Sequence, residues 1–426
     1  MGVRIGSGLS TEPDARSGAA EAAAAARDAL GGRPCDLAVV FASGAHLAAP
    51  EATLEGIHAA LAPAELIGCG AAGVIGATRE VEHGTAVSVW AAALDGGQAA
   101  PFHAEVELLG EGDAVLSGLP DLSGAAGALL LADPFTFPTD AVLRELSAGA
   151  PMLPLLGGLA SARSPDSDTP LLFGEEVRTT GAVGVRFDGV EILPCVSQGA
   201  APLGPELTIT ACEGAIIGEL AGRPALEKLR ETIEALPVDD LRLVQGGLLM
   251  GIVIDANKPD YVQGDFLVRG LVGADPDTGQ VAVGTEVRPG QVVRLHARDA
   301  SSADRDLRDA LSARMQALGG RTPAGALLIT CNGRGAEMFG HPHHDASAVD
   351  RGLGGAPVAG FFAAGEMVPW VASTFCTGSP PRSPCSHEPQ RAQRAAHRRE
   401  RRPRRGRGAS AGRARRERDR DRPAGR

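Results

Sequence analysis

The apolar positions of this chain fall into short runs that stop at glycine, and the runs come in pairs. Residues 36–41 form one such run, ending in Ala42-Ser43-Gly44-Ala45-His46. Residues 51–61 then carry helical spacing, Ala62-Pro63 follows, and the run 65–67 breaks into Gly68-Cys69-Gly70-Ala71-Ala72-Gly73. A short apolar run bounded by glycine reads as a buried strand. The order recurs at 127–131, with a helical stretch at 139–148, Ala150-Pro151, a run at 152–156 and the break Gly157-Gly158-Leu159-Ala160-Ser161. It occurs a third time at 325–330. That run ends in Cys331-Asn332-Gly333-Arg334-Gly335, a helix over 346–353 has Asp345 as its expected N-cap, and the run 356–363 ends at Gly365-Glu366. Strand, helix, strand is a β-α-β unit, and such units place ligands beyond the carboxyl ends of their strands. The pattern predicts an internal structural repeat of about 40 residues.

The intervening chain reads differently. An Ala-rich helix is expected over 10–31, capped near Ser10-Thr11 and stopped by Gly31-Gly32. Residues 85–93 and 102–109 read as an antiparallel pair joined through Asp95-Gly96-Gly97, and 169–173 with 182–187 as another. After 188 the grammar changes. Strands are expected at 190–196, 206–211, 245–254, 265–271, 280–283 and 291–297, and helices at 225–235 and 299–318. The reading is a mixed α/β (α+β) protein of two domains, 1–188 and 189–370, each with a mixed sheet and flanking helices.

Length and composition sharpen this. The chain has 426 residues, enough for two or three domains, and 44% of it is hydrophobic. Aromatic residues are only 3%, which leaves few flat side chains on which bases could stack. The last stretch, 371–426, is rich in Arg, Pro and Ser and almost devoid of aliphatic residues, so it is expected to be disordered. From 381 onward the tail carries 17 of the 41 basic residues and five of the 52 acidic ones. The body therefore holds 24 against 47, a net charge of −23. An acidic body repels phosphate backbones, so no nucleic-acid partner is expected for it. Codons for residues 371–386 can be chosen that encode an apolar ending in a shifted frame, and the tail is read as a frameshift product. No C-x-x-C pair occurs among the seven cysteines. With no apolar leader and no apolar stretch of 18 residues, a cytoplasmic location without membrane contact is expected.

Candidate chemistry concentrates at the glycine corners. In Cys331-Asn332-Gly333-Arg334-Gly335, Arg334 offers a planar donor fork for a carboxylate and the glycines let a ligand approach the backbone. The competing structural role for Arg334 is an ion pair with Glu366. Asp265 and Arg269 are four apart and so share a strand face, as ligand contacts or as an internal ion pair. Gly70 and Gly158 belong to corners whose N–H groups can cradle an anion. The 68–73 stretch lacks the Lys-Ser/Thr of a Walker loop. Cys69 and Cys331 follow strands, with His83 and His341 as candidate bases, which makes a cysteine nucleophile the alternative chemistry. His341-Pro342-His343-His344-Asp345 has the look of a metal cluster, but its spacing pairs no ligands.

Seven of these segments stand in the order found in the FIST sensory proteins. They are Gly68–Gly73, Gly157–Ser161, Ser197-Gln198-Gly199, Gly222–Leu226, Gly264–Arg269, Cys331–Gly335 and Ala359–Glu366, and over roughly residues 20–368 the chain resembles that family. The resemblance implies tandem FIST-N and FIST-C domains that sense a small molecule, usually an amino acid or related metabolite, and signal through a separate protein. It implies no catalytic role and no obligatory cofactor. By analogy with some relatives, haem is the one cofactor it brings to mind, with His46, His58 or His83 as ligands. The expected site residues are Asn332, Arg334, Cys331, Glu366, Asp265, Arg269, Gly70 and Gly158.

Overall fold

The computed structural model describes residues 2–110, 113–150, 153–162, 168–244, 247–262, 264–369 and 374–377. All three β-α-β units are present. Leu37–Ser43 runs parallel to Glu65–Gly70, Gly127–Ala132 to Leu155–Leu159, and Ala326–Cys331 to Val358–Ala363. The helices Pro50–Leu61, Thr139–Gly149 and His344–Gly352 make the crossovers. In each unit the second strand sets a glycine opposite the first: Gly68 faces Val40, Gly157 faces Leu130 and Gly360 faces Leu328. A methyl at any of the three would overlap the facing carbonyl oxygen. The repeat is therefore written in backbone approach, which only glycine permits.

The first unit lies in a six-stranded sheet ordered Arg4–Ser10, Ala86–Ala93, Leu37–Ser43, Glu65–Gly70, Leu171–Phe173, Glu176–Arg178. Its central strand is buried on both faces. Ala38 and Val40 meet Ala19, Ala22, Ala26 and Ile57 of the helices Ala15–Ala29 and Pro50–Leu61. Val39 and Phe41 face the other way, into a core shared with Leu129, Leu131, Val183 and Phe361. Phe41 stacks on Phe361 with ring centres 4.8 Å apart, which ties the first unit to the third.

The second unit sits in a seven-stranded sheet running Thr374–Thr377, Glu366–Pro369, Leu155–Leu159, Gly127–Ala132, Ala182–Asp188, Gln98–Gly110, Asp113–Ser117. The third unit is completed by a hairpin from early in the chain, Val74–Gly76 with Arg79–Val81. Strands after 326 thus pair with strands from the first 188 residues at two places. A third region, 200–298, forms a seven-stranded antiparallel sheet with the helix Ala225–Glu234 on it.

Several local expectations change. The strands Ala86–Ala93 and Gln98–Gly110 do not pair: the turn at Asp95–Gly97 sends the chain from one sheet to the other. Likewise Leu171–Phe173 pairs with Glu176–Arg178, while Ala182–Asp188 joins the other sheet. Residues 190–196 form no strand. The strands Glu65–Gly70 and Leu155–Leu159 continue through the glycines that read as loops. Of the expected tail, Thr374–Thr377 is an edge strand on Glu366–Pro369, and the rest lies outside the described residues. Among the described residues no helix is long and apolar enough to cross a membrane.

Candidate ligand-binding site

The third β-α-β unit differs from the other two at its strand ends. Ala326–Cys331 stops at Cys331, and Arg334 turns back over the strand ends. Its Nε donates to Asp345 Oδ2 at 2.7 Å and its Nη2 to Asp345 Oδ1 at 2.8 Å, a bidentate pair. Both side chains are nearly enclosed, 11% and 3% exposed. Thr330 Oγ1 also donates to Asp345, at 3.0 Å, and the His344 ring lies 2.9 Å from its other oxygen. Burial alone would raise the Asp345 carboxyl. The hydrogen bonds from His344, Arg334 and Thr330 outweigh it and hold the group well below the usual carboxylate range. Burial disfavours the Arg334 charge, but Asp345 reverses that and keeps the guanidinium protonated.

Asp345 was expected to cap the helix that follows. The helix His344–Gly352 instead begins two residues earlier, and Glu80 Oε1 accepts from Ala346 N at 2.8 Å. Glu82 does the same for Ala336 N at 2.9 Å. Two carboxylates of the early hairpin thus serve the helix starts, which leaves the Asp345 carboxylate to Arg334. Arg334 forms its ion pair with Asp345, and the Glu366 charge also acts on it.

The guanidinium fork is not fully used. Arg334 Nη1 is buried with no hydrogen-bond partner, and so is Ser197 Oγ. Both residues line one cavity of about 180 Å³. Its floor is the strand end Leu328–Cys331. One wall is 195–200 with Leu307, a second is Leu249, Val268 and Gly270 of the antiparallel sheet, and Arg298, Met338 and Glu366 complete it. Gly199 faces Arg334 so closely that a methyl there would lie 2.7 Å from Nη1. The cavity lies along the C-terminal part of the strand Ala326–Cys331.

Of the expected site residues the cavity gathers Cys331, Arg334 and Glu366. Asn332 is exposed beside it and does not line it. Gly158 lies behind it as the register partner of Glu366, and a methyl there would press on Ile329 and Phe361 at 2.9 Å. Gly70 is buried in a strand, packed against Leu47 and Ala162. Asp265 and Arg269 do not pair with each other. Asp265 takes Lys258 and the Val262 N–H, and Arg269 reaches Asp140 at 3.7 Å. The sequence reading missed Ser197, Gly199, Arg298 and Met338. Ser197-Gln198-Gly199 carried a family signal without an assigned role, and nothing in the local pattern marks Arg298.

The alternative chemistries fare as follows. Burial, reinforced by Glu366, pushes the Cys331 thiol up to about 11, and burial pushes Cys69 higher still. At neutral pH neither offers the thiolate that a nucleophile needs. His344 stands between Asp345 and Asp304 and stacks on Phe339, and His343 accepts from Glu80 N, so the His-rich loop spends its rings on protein groups. Among the described residues no group of His, Cys, Asp and Glu is arranged to hold a metal ion. His46 lies fully buried between Thr53 Oγ1 and Glu12 O, and His58 lies against Gly174 O. Neither they nor His83 line the cavity, so they do not fit a haem placed there.

The architecture is thus three crossover units and an antiparallel sheet, with a cavity against the third unit. The chain belongs to the FIST family: the FIST N domain matches residues 36–223 and the FIST C domain residues 225–369. The two matches meet at 223–225, whereas the change of strand grammar falls near 188. Two uncharacterised Mycobacterium tuberculosis proteins, from strains CDC 1551 and H37Rv, are each 43% identical over 367 residues, covering 86% of this chain and 95% of theirs. An uncharacterised Mycobacterium bovis protein is 42% identical over 367 residues, covering 86% of this chain and 94% of its own. FIST domains are sensory domains of signal transduction.

Proposed function

We propose that this chain is a sensor that takes a small metabolite of amino-acid size into the cavity at Arg334 and signals through a separate protein. One observation carries the reading. A buried guanidinium, locked by Asp345, has its Nη1 without a hydrogen-bond partner, and its residue lines the cavity. A buried donor left unmade costs about 1–3 kcal/mol, and a ligand acceptor recovers it. The loop that carries Arg334 and the helix that carries Asp345 are both pinned by Glu82 and Glu80 of the early hairpin. Ligand capture that tightens this segment therefore bears on the N-terminal half, which is how a binding event shifts the population a partner reads.

A thermal-shift screen of the full chain with the twenty amino acids, related metabolites and haem tests the reading. A ligand at a hundred times its Kd adds about 2.7 kcal/mol to the folded state and raises Tm. A complete screen without a shift overturns it.

A further inference from the structure

The wall of the cavity narrows the ligand further, resting on the sensor reading of the same site. We infer that the ligand is uncharged: a small carbonyl compound, such as an amide or a lactone, with an aliphatic body. Its carbonyl oxygen accepts from Arg334 Nη1 and Ser197 Oγ, and its body covers the apolar wall.

Charge sets the first constraint. The cavity is lined by two guanidinium groups, Arg298 and Arg334, and by two carboxylates, Asp345 and Glu366. Burial pushes up both thiols on its wall, Cys195 and Cys331, the latter to about 11, so both are neutral near pH 7. The formal charges around the space therefore cancel before a ligand enters. Cys331 feels both signs: the Glu366 charge raises its thiol, and the Arg298 and Arg334 charges lower it. A ligand that is an anion or a cation would leave the cavity unbalanced, and an unbalanced buried charge is costly.

A zwitterion is neutral in sum, but each of its ends competes with interactions already made. The Asp345 oxygens take Arg334, Thr330 and His344. Glu366 is likewise engaged within the protein. An ammonium group would have to displace a group that already holds one of these carboxylates. A ligand carboxylate would share the space with both of them.

The unmet groups are donors. Arg334 Nη1 and Ser197 Oγ are buried without a hydrogen-bond partner, and both residues line the cavity. The segment that carries Ser197 passes Arg334 at Gly199, where a methyl would lie 2.7 Å from Nη1. A carbonyl oxygen has two lone pairs, so it can take both donors without bringing a charge. The rest of the wall suits an aliphatic body: Leu249, Val268, Leu307, Leu328 and Met338 line it. At about 180 Å³ the cavity is smaller than the roughly 300–1,000 Å³ pockets that take drug-sized ligands, so the molecule is small.

Calorimetric titration of the full chain tests this with three probes of similar shape, 4-methylpentanamide, 4-methylpentanoate and L-leucine. The amide is expected to bind, and the anion and the zwitterion at least about tenfold more weakly, because each brings charge into a balanced cavity. Ser197→Ala should weaken the amide about fivefold, the worth of one hydrogen bond, while its Tm stays at or above that of the unaltered chain. Glu366→Gln removes one carboxylate from the balance. In a variant that still melts cooperatively, it should bring the affinity of the anion at least about tenfold closer to that of the amide. The probe order and Ser197→Ala stand as tests even if that variant does not fold. Leucine or 4-methylpentanoate binding as tightly as the amide overturns the inference. So does an unchanged affinity in Ser197→Ala, or an unchanged ratio of amide to anion in folded Glu366→Gln. If none of the three probes binds, the inference falls, and the sensor reading then stands or falls with the thermal-shift screen.

Discussion

The second and third crossover units share a plan and use their strand ends in opposite ways. At the second unit, Gly157 and Gly158 are spent on packing: one rests on the Leu130 carbonyl, the other on Ile329 and Phe361. At the third unit the corner is held open. Arg334 and Asp345 prop it, Gly199 gives clearance, and a cavity remains. A glycine run at a strand end is thus ambiguous in itself. What separates the two uses is whether a charged side chain, locked by a second residue, stands in the corner.

Substitutions break or sharpen this contrast. The largest effect is expected at Gly360→Ala, whose methyl meets the fixed Leu328 carbonyl. Urea unfolding should show a loss of at least about 4 kcal/mol, the range reserved for core backbone clashes. Gly333→Ala, whose methyl meets only the exposed Arg298 side chain at 3.0 Å, should cost about 1 kcal/mol or less. Equal losses would erase the distinction between glycines packed on a strand and glycines at the open corner.

Next comes Asp345→Ala. It strands a buried guanidinium, and breaking such a pair costs about 3–5 kcal/mol. Ligand binding should vanish with it, because Arg334 loses its orientation.

Acidity separates the cavity from the antiparallel sheet. His296 is 1% exposed, and burial lowers its pKa from 6.5 to about 4. The unfolded chain takes up this proton near 6.5 and the folded chain only near 4. Stability therefore falls as pH drops through that window, by about 3 kcal/mol in all. The depressed Asp345 carboxyl contributes stability that is present above the ordinary carboxylate pKa and is lost only as pH falls below about 4. Unfolding curves of His296→Phe should fall less steeply between pH 6.5 and 4, where buried His46 still contributes, and keep the steeper loss below it.

The smallest effect is expected at Ser197→Ala. Removing a buried hydroxyl that has no partner should leave stability unchanged or raise it by about 1 kcal/mol. A loss of more than about 1 kcal/mol would mean that the hydroxyl is used within the free protein.

The crossover units were legible because their strands are short apolar runs ended by glycine-containing corners, with a helical stretch between each pair. The first strand, Arg4–Ser10, was not. Gly6 and Gly8 lie where a methyl would overlap the carbonyls of Ala26 and Ala22, so the strand buries backbone rather than aliphatic side chains and leaves no apolar pattern. Sheet membership also escaped the sequence. Ala86–Ala93 and Gln98–Gly110 look like a hairpin locally, and only the competing partners at Leu37–Ser43 and Ala182–Asp188 separate them. At the site, Arg334 could be picked from its residue type and its corner. Asp345 could not, because its use as a charge partner depends on Glu80, 266 positions before Ala346, serving the helix start in its place.

The most direct measurement is nitrogen NMR of the Arg334 guanidinium during titration with the amino acid or metabolite that gives the largest thermal shift. The account predicts a saturable change in the Arg334 Nη signals with slowed exchange of the Nη1 protons, and its loss in Gly199→Ala. Saturable binding that leaves those signals untouched would contradict it.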